Sequence, residues 1–122
     1  ILYPIPEVGW HVPQKIFLNS RFNNLKFWKN NLEDDLKRQD LITTSYEVYL
    51  ERNKNIFNLF DEINSENIYK IYPHKIFCNM KDNRCRANDE NNVYYYDHHH
   101  LSSYGSKLLS HQIIQEIKKI SK

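Results

Sequence analysis

The 122-residue chain carries 17 basic and 15 acidic side chains spread along its length, and its formal charge of +2 offers no concentrated field for a phosphate backbone, so nucleic acid is not the expected partner. Only two glycines occur, Gly9 and Gly105, far apart, whereas Walker and dinucleotide phosphate loops need at least two close together; nucleotide-binding classes are excluded. No run of about 20 apolar residues exists, and Ile1 to Trp10 lack the basic start and cleavage site of a signal peptide, so this stretch is expected neither to span a membrane nor to direct its own export.

The length suits one domain or a piece of one. The chain opens without Met inside the apolar run Ile1-Leu2-Tyr3-Pro4-Ile5, and we read position 1 as an interior cut. Residues 1–13 read as a core strand running into a Pro-rich loop, because Pro4, Pro6 and Pro13 oppose both ladder pairing and a helix interior. Lys15 to Asn31 shows no clean period and reads as a loop with a short helical turn or two.

From Leu41 to Ile63, the residues Ile42, Tyr46, Tyr49, Leu50, Ile56, Phe57, Phe60 and Ile63 recur largely at three- and four-residue spacings, which predicts an amphipathic helix. Asn67 to Tyr72 alternates apolar and polar before Pro73, the pattern of a short strand, so 41–72 reads as helix and strand of one α/β repeat. Cys78 and Cys85 bound a polar loop over 78–85; their spacing fits a disulfide in an oxidising compartment and two free thiols in a reducing one equally well. Ala87 to Asn92 is turn-like, and Val93-Tyr94-Tyr95-Tyr96 has strand propensity. Ser102 or Ser103 then caps a terminal helix with apolar face Tyr104, Leu108, Leu109, Ile113, Ile117 and Ile120, and with Lys118, Lys119 and Lys122 near its negative end.

The chemistry concentrates in Tyr96-Asp97-His98-His99-His100-Leu101-Ser102. Three histidines invite a metal reading, but adjacent side chains on extended backbone point in opposite directions, so His98, His99 and His100 are not expected to converge on one ion. Asp97 and His100, two residues apart, suit a turn that returns the carboxylate beneath the imidazole. Such an Asp accepts the Nδ1 proton and leaves Nε2 free to deprotonate a serine hydroxyl. An N-terminal turn with a capping Asp fits the same tetrapeptide, and spacing alone leaves both readings open.

The wider block, an aromatic strand, Asp97-x-x-His100, then Leu101-Ser102-x-x-Gly105 opening a C-terminal helix, resembles the last block of the SGNH hydrolase superfamily. It is most similar to SGNH domains fused to membrane acyltransferases of the acyltransferase-3 type, which modify bacterial surface polysaccharides. Pro4-Ile5-Pro6-Glu7-Val8-Gly9 and the pair Cys78 and Cys85 match further features of those domains. The resemblance is thin between about Lys15 and Asp40.

The resemblance implies an α/β chain, a partial SGNH (flavodoxin-like) three-layer fold with its N-terminal strands missing, of which residues 93–122 form the Asp-x-x-His block and terminal helix. It implies His100 as general base, Asp97 as its orienting carboxylate, Leu101 packed inward, Ser102 as helix cap and a periplasmic Cys78–Cys85 disulfide. The reaction implied is serine O-acyl transfer or ester cleavage on a cell-envelope polysaccharide, with no cofactor and no metal. The partners implied are an acyl-donor membrane domain in the same polypeptide, at the periplasmic face of the bacterial inner membrane, and the glycan.

The family's nucleophile sits in a Gly-Asp-Ser block, and no Ser of this chain follows Gly-Asp. Asn19, Asn23 and Asn24 lie on the wrong side of the Pro-rich strand to take the family's oxyanion-hole Asn role. The chain alone is therefore expected to supply the Asp–His pair without catalysing. The competing reading is a non-catalytic envelope or carbohydrate-binding domain that uses Trp10, Trp28 and Tyr94 to Tyr96 as sugar-stacking surfaces.

Overall fold

The computed structural model describes residues 1–23 and 41–121; Asn24, Trp28 and the rest of the expected loop to Asn31 lie outside them. Helices and short strands mix along the chain, which divides into two compact units.

The first unit holds Ile1–Pro6, Ser45–Cys85 and Lys107–Lys122. Its main helix, α2 (Tyr46–Glu62), follows the short strand β1 (Thr43–Ser45). The helical period extended back to Leu41, yet the β-branched pair Thr43 and Thr44 is extended and Ser45 ends the strand as the N-cap, its Oγ accepting the Val48 N–H at 3.2 Å. Asn83, in the left-handed region at φ 55°, accepts the Tyr46 N–H with its carbonyl (3.1 Å) and the Glu47 N–H with Oδ1 (3.0 Å). Three donors that a helix start leaves unpaired thus find partners.

Aromatic rings make this unit's core. Tyr3 is buried, with ring centroids 5.0 Å from Phe57, 5.3 Å from Phe60 and 4.4 Å from Tyr72. Its hydroxyl donates to Asp61, and the Tyr49 hydroxyl donates to the Pro4 carbonyl at 2.7 Å, so both rings are buried with their polar ends paired. A one-turn helix α3 (His74–Phe77) leads into β2 (Cys78–Asn79), which pairs antiparallel with β3 (Arg84–Arg86) in the register Cys78 opposite Cys85. The two cysteines are joined as a disulfide.

The expected strands at the chain start and at 67–72 are reduced to one parallel bridge between Leu2 and Ile71. The Tyr3 N–H reaches the Ile71 carbonyl (2.9 Å) and the Ile71 N–H the Ile1 carbonyl (2.8 Å); Pro4 and Pro6 then lack the N–H groups that would continue a ladder, and Pro73 closes the other side.

The second unit holds Glu7–Thr44 and Arg86–Ser106. Its helix α1 (Val12–Asn23) covers the described part of the stretch from Lys15, where a loop with a short helical turn or two was expected. Pro13 is tolerated because it sits in the first turn, where no helical N–H bond is owed. His11 caps the helix: its carbonyl accepts the Lys15 N–H at 3.0 Å and its Nδ1 the Gln14 N–H at 3.3 Å. Val12 and Ile16 are fully buried. Buried Asn88 ties the unit, accepting the Ile42 N–H at 2.8 Å and donating to the Asp89 carbonyl at 3.1 Å.

The expected strand Val93–Tyr96 also appears only as single bridges, Asn88 with Val93 and Tyr95 with Leu101, because its backbone groups serve different neighbours in turn. The Tyr94 N–H goes to Ala87, and the Val93 and Tyr94 carbonyls both go to Ser102. The terminal helix α4 (Ser103–Ile120) begins here.

Candidate active site

Asp97 to His100 form the tip of a closed loop. Tyr95 is buried and bridges Leu101, and the Tyr96 N–H donates to the His100 carbonyl at 2.8 Å. Within the loop the Asp97 carboxylate is divided between two tasks. Its Oδ1 accepts the backbone N–H groups of His99 and His100, each at 2.9 Å, and its Oδ2 lies 2.7 Å from His100 Nδ1. The His100 hydrogen bond, followed by the two backbone bonds, holds the Asp97 carboxyl far below the usual carboxylate range, so it is an anion at any physiological pH.

The imidazole is oriented but not enclosed: the His100 side chain is 67% exposed against 21% for Asp97. An imidazole whose Nδ1–H points at a carboxylate presents a lone pair at Nε2, and Nε2 has no hydrogen-bond partner among the described residues.

The loop is braced from the Pro-rich segment. The Val8 N–H donates to the His98 carbonyl (3.1 Å) and the Val12 N–H to the Asp97 carbonyl (3.4 Å). Between them Gly9 adopts φ 84°, a left-handed turn that aims both donors at one loop. Two blocks nearly 90 positions apart thus meet at the Asp97 turn.

Ser102 is occupied elsewhere. Its Oγ donates to the Val93 carbonyl at 2.5 Å and accepts the Gly105 N–H at 3.1 Å, while its own carbonyl accepts the Ser106 N–H at 2.9 Å, the bonding of an N-cap. The cap of α4 is therefore Ser102, and the oxygens of Asp97 are not spent on capping that helix.

The candidate sugar-stacking rings fare differently from one another. Tyr95 is buried, Tyr94 is half-buried, stacked on Tyr104 and bonded to Asp89, Trp10 is half-buried under Lys15 Nζ at 4.3 Å, and only Tyr96 stands out, 72% exposed. Trp28 lies outside the described residues.

Two further histidines lie near the pair: His99, which the sequence reading set aside, and His11, which it did not single out. The His99 and His100 ring centroids are 4.1 Å apart, because the loop is tightly turned and the opposite-facing rule for extended backbone does not apply. His11 reaches the loop as well, its ring edge-on to His98 at 5.9 Å. Asp97, His99 and His100 each bring a ligand atom within 4.8 Å of the others, a donor set that fits a transition-metal ion.

An imidazole-and-carboxylate turn in front of a capped terminal helix matches the last block expected of an SGNH-type domain, a class of hydrolase- and acyltransferase-related modules. Residues 1–115 match the family model described as SGNH domain (fused to AT3 domains), and the chain belongs to that family. No curated protein and no solved structure matches it. Fusion to AT3 domains points to a membrane acyltransferase as partner domain; among the described residues no helix is long and apolar enough to cross a membrane.

Proposed function

We propose that this chain supplies the general base and its orienting carboxylate, His100 and Asp97, to an SGNH-type serine O-acyltransferase or esterase acting on bacterial cell-envelope polysaccharide. The observation that carries the reading is the divided Asp97 carboxylate: one oxygen fixed by two backbone N–H groups, the other 2.7 Å from His100 Nδ1, with Nε2 open.

This reading requires a serine from a Gly-Asp-Ser block, which these 122 residues do not contain, on strands that complete a flavodoxin-like three-layer fold. In the first half-reaction His100 Nε2 takes the serine hydroxyl proton as Oγ attacks the acyl carbonyl, and returns that proton to the leaving group of the donor. The acyl group is then an ester on serine. In the second, His100 takes the proton of a sugar hydroxyl, or of water, whose oxygen attacks the ester carbonyl, and returns that proton to serine Oγ as the acyl–Oγ bond breaks. Asp97 keeps Nδ1 protonated and stabilises the imidazolium formed at each step. A fixed anion so close to the ring supplies that without rearrangement.

The test is His100→Ala in the complete polypeptide with its AT3 domain, read as O-acetyl content of the surface polysaccharide. Loss of acetylation at normal protein level is expected. Unchanged acetylation would sink the catalytic reading and favour a non-catalytic envelope domain.

A further inference from the structure

Serine acyl transfer uses Asp97 and His100 and leaves His99 unexplained. His99 is exposed, yet its ring centroid lies 4.1 Å from that of His100, with the planes tilted by 42°. One ligand atom from each of Asp97, His99 and His100 lies within 4.8 Å of the other two. The carboxylate is held before any ion arrives, since both of its backbone bonds come from the residues that carry the imidazoles. Two imidazoles and one carboxylate, open to water on the remaining side, form a zinc-type donor set that leaves a position for solvent. His98 does not belong to it: its ring lies 6.3 Å from that of His99 and faces His11.

We infer that Asp97, His99 and His100 bind one divalent transition-metal ion of the zinc class, and that the bound ion blocks His100 as a base. A neutral imidazole has a single lone pair in the ring plane, so an ion that takes it leaves no site for the serine proton. Metal and serine proton compete for the single lone pair of the neutral His100 ring, and binding is reversible because the site is exposed. The blocking half rests on the reading of His100 as base; the binding half does not.

The test uses the full 122-residue chain free of any histidine tag, titrated calorimetrically with zinc chloride, and then the His99→Gln and His98→Gln variants. The expected result is one zinc ion per chain, with His99→Gln weakening binding by more than the roughly 10–100-fold that loss of an outer-shell partner costs, and His98→Gln leaving it unchanged. Absence of saturable binding in the unaltered chain overturns the site, as does equal weakening by the two variants. For the blocking half, zinc added to the complete acyltransferase should stop turnover and a chelator restore it. Zinc bound without loss of turnover overturns that half alone, whereas unchanged acetylation in His100→Ala overturns the catalytic reading and leaves the metal site standing.

Discussion

Gly105 lies so close to Tyr94 that a Cβ on it would stand 2.2 Å from the Tyr94 carbonyl oxygen and 3.1 Å from Leu101. That oxygen already accepts the Ser102 N–H, so it has no room to withdraw. The first turn of α4 and the strand before Asp97 are locked together by the absence of a side chain. Gly105→Ala should therefore cost at least about 3 kcal/mol, the upper end for overpacking, measured as a loss of urea stability. Gly9→Ala makes the contrast: among the described residues nothing lies within 4 Å of its would-be Cβ, and the φ of 84° is what is unfavourable. A cost of about 1–2 kcal/mol is expected there. Equal losses would show that steric contact at Gly105 is not the cause.

Asp97→Asn keeps an oxygen for the two backbone N–H groups but turns an amide NH2 toward His100 Nδ1. That nitrogen must then accept, so the ring proton moves to Nε2, the atom proposed as base. The fold should survive while the tautomer inverts, visible in the imidazole ¹⁵N shifts of His100. In the complete enzyme, activity should fall on the order of 10⁴-fold, as when a triad loses its carboxylate. A His100 that keeps its Nδ1–H tautomer in this variant would show that Asp97 does not set it.

The Asp–His pair was legible because every bond that shapes it is local: a carboxylate two and three residues ahead of its donors writes its geometry into the spacing. The terminal helix was legible for the same reason, from its period and its Ser102 cap. What failed depended on distant partners. Alternation at Asn67 to Tyr72 and strand propensity at Val93 to Tyr96 signalled extended backbone, but pairing was decided by Ile1, Tyr3, Ala87 and Ser102. The helix from Val12 was hidden by Pro13 and by asparagines, and its cap, His11, is not among the usual capping residues. His99 was dismissed by a rule for strands in a segment that is a turn.

Reducing the disulfide should loosen more than its own loop. Cys78 and Cys85 close a short loop, worth about 2–3 kcal/mol by loss of unfolded-chain entropy. The same hairpin presents Asn83 to the start of α2. Paired Cys78→Ala and Cys85→Ala changes should lower stability by that amount, and hydrogen exchange at Tyr46 and Glu47 should rise with it. Protection at those two amides unchanged in the variant would separate the hairpin from the helix cap.

His74 gives the first unit a pH dependence with a definite sign. Only 8% exposed, it sits among the rings of Tyr46, Tyr49, Phe57 and Tyr72, with centroids 5.6 to 6.0 Å away, and its buried Nδ1 has no hydrogen-bond partner among the described residues. Burial, with a contribution from Lys75, pushes its pKa below the ordinary 6.5. The folded state then binds fewer protons than the unfolded state as pH falls through that ordinary value, so the neutral ring's stability is fully present above about pH 6.5 and is lost below it, until the folded pKa is reached. His74→Phe keeps an aromatic ring in the site and removes the titration. The urea midpoint of the unaltered chain should drop between pH 7.5 and 5.5 by more than that of the variant, and parallel curves would mean that His74 is as easily protonated folded as unfolded.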